Sequence, residues 1–190
     1  GADEIALTVR KGRIVAVDAV AAPAAGGEGE PPSSKPRRGI LLTGGTGFFG
    51  PFLLRSLLNQ YDDPIYVLVR APDDVHAEER LDDALGSLGP DLGTMALRTA
   101  RERIIPVRGD LGRPDLGLSR RAWRRLATGV HTVYHNGAEV NYLKDYADLR
   151  PPNVLGTREV LRLAAEGRPT AVNHVSTTFV FGWSTRDILF

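Results

Sequence analysis

"ILLTGGTGFFGPFLL", residues 40–54, decides how this chain is read: an apolar run breaks into glycines and then resumes at helical spacing. Glycines at 44, 47 and 50 within Thr43-Gly44-Gly45-Thr46-Gly47-Phe48-Phe49-Gly50 give the spacing GxxGxxG. Gly44 permits a tight turn, Gly47 lets backbone approach a pyrophosphate, and Gly50 lets a helix pack close to the strand. Phosphates then sit on the N–H groups opening that helix, with Thr43, Thr46, Phe48 and Phe49 lining the turn. Pro51 falls in the helix's first turn, where its missing N–H has no intrahelical partner. Phe49, Phe52, Leu53 and Leu57 are expected on the buried face. The alternative is a glycine turn needed only for packing.

Outward from this stretch the pattern alternates. Strands are predicted at 40–43, 65–69, 104–108, 131–135 and 172–176, and helices at about 47–60, within 75–101, at about 120–127 and at about 153–166. Ser119 stands at an N-cap position before "RRAWRRLA", Gly129 ends that helix, and Gly167 with Pro169 ends the next. Alternating helices and strands imply right-handed crossovers. The predicted fold class is therefore α/β, a doubly wound Rossmann-type parallel sheet of order 3-2-1-4-5, with a cofactor over the strands' carboxyl ends. Before it, residues 1–20 read as a hairpin or the end of an upstream domain, turning at Arg10-Lys11-Gly12-Arg13. Residues 21–37, rich in Ala, Pro, Gly and Ser, read as a linker. Residues 38–190 are the Rossmann domain.

Composition narrows the function classes. The 190 residues carry 24 basic and 23 acidic side chains, net +1, so no global field points to nucleic acid or an anionic membrane. Zero cysteines exclude disulfides, thiolate catalysis and cysteine-ligated metals, and no metal site is expected. No apolar run reaches membrane-spanning length, and residues 1–20 lack a basic-then-apolar signal pattern. A cytoplasmic protein that binds no membrane is expected.

Candidate ligand contacts fall at predicted strand ends. A free ribose 2′-OH normally meets an acidic residue after the second strand. Here "IYVLVRAPDD" puts Arg70 there, and a guanidinium fork suits a 2′-phosphate, which favours NADP(H). Arg80 is a second candidate clamp; the alternative pairs Arg70 with Asp73 or Asp74. Asp110 of "VRGDL" is placed to accept from the adenine amino group, or else to stabilise a turn. Asn136-Gly137-Ala138 lets backbone come close beside the nicotinamide ribose. His135 reads as a packed, hydrogen-bonded residue rather than an acid or base.

"ILLTGGTGFFGPFLLRSLL", "IYVLVRA", "GDLGRPDLGLS", "VYHNGAEVNYLKDY", "NVLGTREVLRLA" and "HVSTTFVFG" occur in this order. Together, from about Gly39 to Gly182, they resemble the thioester reductase domains of polyketide and nonribosomal peptide assembly lines and the terminal domain of carboxylic acid reductases, which are extended short-chain dehydrogenases. The resemblance implies NADPH-dependent reduction of an acyl or peptidyl thioester on the phosphopantetheine arm of a carrier protein, releasing an aldehyde and in some cases an alcohol. It implies Gly44, Gly47 and Gly50 at the pyrophosphate, Arg70 and Arg80 at the 2′-phosphate, and Asp110-Leu111 around adenine. It also implies that Asn153 anchors the active-site side of the sheet. Thr177, five residues before Gly182, would hydrogen-bond the substrate oxygen where negative charge develops. Ser176 and Thr178 would point elsewhere by strand alternation.

In that family a tyrosine supplies the proton and a lysine four residues later lowers its pKa. The tyrosines here are 61, 66, 134, 142 and 146, and lysine occurs only at 11, 35 and 144, so no tyrosine has that partner. The chain is accordingly expected to be the cofactor-binding portion, without the pair and without the C-terminal substrate subdomain. Two other classes remain open: a non-catalytic NADPH-binding sensor or scaffold, and an extended dehydrogenase acting on a nucleotide sugar or steroid.

Overall fold

The computed structural model describes residues 6–10, 13–18, 39–86, 101–166 and 170–177. The first two segments, β1 (Ala6–Arg10) and β2 (Arg13–Asp18), pair antiparallel with an irregularity of register between Thr8 and Val9. The expected linker and the helix-stop signals Gly167 and Pro169 lie outside the described residues.

Strands β3 (Ile40–Thr43), β4 (Ile65–Val69), β5 (Ile104–Arg108), β6 (Thr132–His135) and β7 (Ala171–His174) form one parallel sheet in the order β5-β4-β3-β6-β7. Counted within that sheet, the order is the expected 3-2-1-4-5. The sheet lies between α1 (Gly50–Gln60) and α2 (Asp74–Gly86) on one face and α3 (Arg120–Gly129) and α5 (Gly156–Ala165) on the other.

Strand alternation sorts the core into these two layers. Ile40 and Leu42 pack with Leu54, Leu57 and Leu81, whereas Leu41 packs with Trp123, Leu126, Val160 and Leu163. All four residues of β3 are buried, which is why "ILLT" reads as a continuous run rather than an alternating one. Among the described residues no helix is long and apolar enough to cross a membrane.

Several boundaries differ from expectation for identifiable reasons. Helix α1 begins at Gly50 rather than Gly47, because the Gly47 and Gly50 amides close successive turns on the carbonyls of Gly44 and Gly47, at 3.1 and 3.2 Å. Its buried face is Leu54, Leu57 and Leu58, with Phe49 and Phe52 about half exposed. The last long helix does not start at 153. It is entered through α4 (Tyr146–Arg150), where the Asp145 side chain accepts from the Asp148 amide, and it continues through a π-helical turn at Pro151–Leu155 into α5. The prolines therefore lie inside a helical run instead of at its entrance. Proline cannot supply the usual amide, and the wider turn, closed by the Gly156 amide on the Pro151 carbonyl, accommodates the gap. Ser119 caps α3 as expected, accepting from the Ala122 amide at 3.2 Å.

Candidate functional site

Parallel pairing sets Thr43 beside Leu68 and His135, His135 beside His174, and Val69 beside Arg108. The carboxyl ends of all five strands thus share one edge, with the switch in strand order between β3 and β6. In open sheets of this kind that crevice is where ligands bind.

The glycine turn sits in the crevice, and its glycines have separable roles. Gly44 adopts φ +70°, and a Cβ there would lie 2.7 Å from the Gly137 backbone, so the loops after β3 and β6 are in direct contact. A Cβ on Gly50 would stand 2.2 Å from the Gly44 carbonyl oxygen. Gly47 is different: it is exposed, and a Cβ there would meet only the Gly44 oxygen, at 3.4 Å. The fold needs glycine at 44 and 50 and has no use for it at 47. Gly45, which the motif leaves as a neutral position, is buried, with no room for a Cβ against Val67. Helix α1 has no side-chain cap and no acidic residue in its first turn, so its positive dipole end meets no compensating negative side chain beside the exposed Gly47–Phe49 lip.

The β6 side is braced by hydrogen bonds. Asn136 Nδ2 donates to the Gly44 carbonyl at 3.1 Å, and the Gly137 amide donates to Thr43 Oγ1 at 3.0 Å. Thr43 corrects the sequence reading: its side chain is fully buried and bonded to His135, so it shapes the turn without contacting a ligand. Asn153 is likewise an anchor, since both ends of its amide hold the Glu139 backbone, at 2.7 and 2.9 Å. Leu111 packs beneath Gly137 and Gly156. Ala138 lies exposed beside them.

At the β4 and β5 ends, Arg70 is exposed and its carbonyl accepts from Arg80 Nη1, which brings the two arginines together. Asp73 instead accepts from His76, and Asp74 faces Arg108 at 3.5 Å, so neither acid is paired with Arg70. Glu139 is held ionised first by its hydrogen bond from Lys144 and further by the charge of Arg70. Asp110 makes the turn contact that the sequence allows as an alternative: its carboxylate accepts from the Gly112 amide at 2.9 Å and faces Arg113 at 3.8 Å. Thr177 is exposed three residues beyond the end of β7. Because β7 stops at His174, strand alternation does not orient Ser176, and Thr178 and Gly182 lie outside the described residues.

His135 is the packed, hydrogen-bonded residue that the sequence suggests, whereas Thr157 and Arg108 escape a motif reading. His135, 1 % exposed, contacts Thr43 Oγ1 through Nδ1 at 2.7 Å and Thr157 Oγ1 through Nε2 at 2.9 Å. Burial, then the neighbouring His174, pushes the His135 pKa down to about 4, so the ring is neutral. Thr157 lies four residues beyond Asn153 in "NVLGT", and only that spacing hints that the two share a helix face. Arg108, the last residue of β5, donates to the Pro72 carbonyl at 2.7 Å and braces the loop carrying Arg70.

A doubly wound sheet with a glycine turn at its switch point defines a dinucleotide-fold domain. The chain belongs to the family NAD_binding_4, described as "Male sterility protein", which matches residues 42–188. It is 47% identical over 141 residues to a subunit of the linear gramicidin synthase of Brevibacillus parabrevis, covering 74% of this chain and 3% of that protein. It is 38% identical over 143 residues to the carboxylic acid reductase of Mycobacterium marinum, covering 74% of this chain and 12% of that protein. Among solved structures, the terminal R domain from the myxalamid PKS-NRPS biosynthetic pathway superposes with TM-score 0.70 at 46% identity, over 79% of this chain and 37% of that one. A reductase (R) domain of a nonribosomal peptide synthetase from Mycobacterium tuberculosis follows at TM-score 0.68 and 37% identity, over 76% and 34%. The chain therefore spans a small part of these curated relatives and about a third of the solved domains.

Proposed function

We propose that the crevice binds a nicotinamide dinucleotide, NADPH in preference to NADH, and that the domain serves reductive release of an acyl or peptidyl thioester from a carrier protein's phosphopantetheine arm as an aldehyde. The observation that carries the cofactor reading is Gly47. It is a glycine that the protein's own packing does not require, set on the exposed lip of an uncapped helix. Backbone that must approach a pyrophosphate explains it.

In this reading the first amides of α1 hold the pyrophosphate, and Arg70 with Arg80 receives the 2′-phosphate. Asp110 and Leu111 border adenine, while Gly137 and Ala138 leave room beside the nicotinamide ribose. Bound NADPH would supply the hydride. Thr177 would donate a hydrogen bond to the substrate oxygen as charge develops on it. The choice of substrate and of carrier-protein partner rests on likeness to relatives named for nonribosomal peptide synthesis and carboxylic acid reduction.

Calorimetric titration of the 190-residue chain with NADPH and with NADH tests the reading. Selective NADPH binding is expected, lost in Gly47→Val while the far-UV spectrum and unfolding midpoint hold. Arg70→Asp is expected to weaken NADPH far more than NADH. Undiminished affinity in folded Gly47→Val overturns the phosphate cradle, and equal losses for the two cofactors in Arg70→Asp overturn the 2′-phosphate role.

A further inference from the structure

We infer that His135 is a positioning residue: bridged between Thr43 of β3 and Thr157 of α5, it locks the loop after β6 against the glycine turn in the shape that receives the dinucleotide. This rests on the cofactor reading above and adds to it a mechanism for holding the crevice open and rigid.

The hydrogen bonds fix their own direction. The Thr157 hydroxyl donates to the Asn153 carbonyl at 2.5 Å, so toward His135 it can only accept, and His135 Nε2 carries the proton. Nδ1 is then bare and accepts the Thr43 hydroxyl hydrogen at 2.7 Å, while the Thr43 oxygen accepts from the Gly137 amide at 3.0 Å. A single one-way chain therefore runs from Gly137 through Thr43, His135 and Thr157 to Asn153. Both ends belong to the crevice. Gly137 abuts the Gly44 turn, and Asn153 grips the Glu139 backbone from both sides. One neutral imidazole thus ties β3, β6, α5 and the 136–139 loop into one rigid unit.

Protonating Nδ1 would break the chain, because the Thr43 hydroxyl hydrogen would lose its acceptor at a site with 0 % exposure. Among the described residues, the groups shown in contact with His135 include no carboxylate to stabilise that proton. The groups facing it are uncharged Thr43 from β3, uncharged Thr157 from α5, and His174 from β7 with ring centroids 5.0 Å apart; on the adjoining loop, Glu139 is engaged by Lys144 and the charge of Arg70. A second positive charge on His174 would oppose protonation further.

The test uses the 190-residue chain and NADP+, which tolerates acid, as probe. Thr43→Val and Thr157→Val are expected to weaken NADP+ binding about tenfold each, the cost of one stranded buried group. Thr43→Ser, which keeps the hydroxyl, is expected to retain wild-type affinity. Wild-type affinity is also expected to fall between about pH 5 and about pH 3, as pH passes through the His135 pKa of about 4, more steeply than that of His135→Gln, a comparison that cancels the titration of the ligand's own phosphate. If the wild type binds NADP+ and both valine variants bind as well as it does, the interlock is overturned and the cofactor reading stands. Absence of wild-type binding overturns the cofactor reading itself. Should Thr43→Val fail to fold, Thr157→Val, at a half-buried position, carries the same comparison.

Discussion

The two stretches that meet at the end of β6 are built on opposite terms. On the glycine-turn side, Thr43 and His135 are 0 % and 1 % exposed and every buried side-chain polar atom among the described residues has a partner. Immediately beyond, Val140, Tyr142, Leu143 and Tyr146 are 77 %, 97 %, 98 % and 67 % exposed. The first region is over-determined: turn, strand and helix each restrain the others through backbone contact and hydrogen bonds. The second presents apolar side chains that the described fold does not bury. The glycine-turn side of the crevice is therefore restrained by its own contacts, whereas the 140–146 stretch, held by the Asn141, Lys144 and Asp145 hydrogen bonds, leaves its apolar side chains outward.

The contrast can be broken most severely at Gly50. Any side chain there drives a Cβ into backbone at 2.2 Å, and no flexible group is available to yield. Gly50→Val is expected to cost about 4 kcal/mol or more, enough to abolish the urea-unfolding transition of a marginal domain. One step smaller, Leu54→Ala empties a fully buried position between α1 and the sheet, and a loss of about 2–5 kcal/mol is expected in the same assay.

Acid sharpens the comparison next. The pKa of His135 is about 4 in the folded protein against an ordinary value of 6.5, so the unfolded chain binds the proton more readily. Stability from this group is fully present above 6.5 and is lost as pH falls from there through about 4. The loss amounts to about 3 kcal/mol by proton linkage. Unfolding free energies measured across that window should show this slope, and His135→Phe should flatten it. His174, whose pKa burial also lowers, adds in the same direction. The smallest effect belongs to the exposed stretch: Leu143→Ser is expected to change stability by no more than about 0.5 kcal/mol, which a thermal-unfolding comparison will read as no shift.

Much of the fold is legible in the sequence because the responsible forces are local or periodic. "ILLT" followed by glycines announces a strand buried on both faces and a sharp turn, and Ser119 announces a helix start through its own backbone hydrogen bond. Asp145 carries the same signal, but Pro151 and Pro152 mask it by resembling a helix entrance. A π-helical turn that absorbs two prolines has no one-dimensional signal. The site is legible in outline only. The position of Arg70 and the glycines after strands is readable in the sequence, but whether Asp110 faces outward or its own turn depends on where the Gly112 amide lies.

By itself the sequence determined the alternation of strands and helices, the doubly wound class, and the edge of the sheet at which a ligand would sit. Each follows from hydrophobic period, glycine spacing and chain direction, properties written along the chain. Only the tertiary structure decided which residues of the motif are turned toward the crevice and which brace it. Thr43 turned inward, Gly47 proved free of any packing duty, and His135 found Thr43 and Thr157 from elements 92 and 22 residues away. Hydrogen bonds across such separations depend on where three elements meet in space, and no pattern within any one of them encodes that meeting.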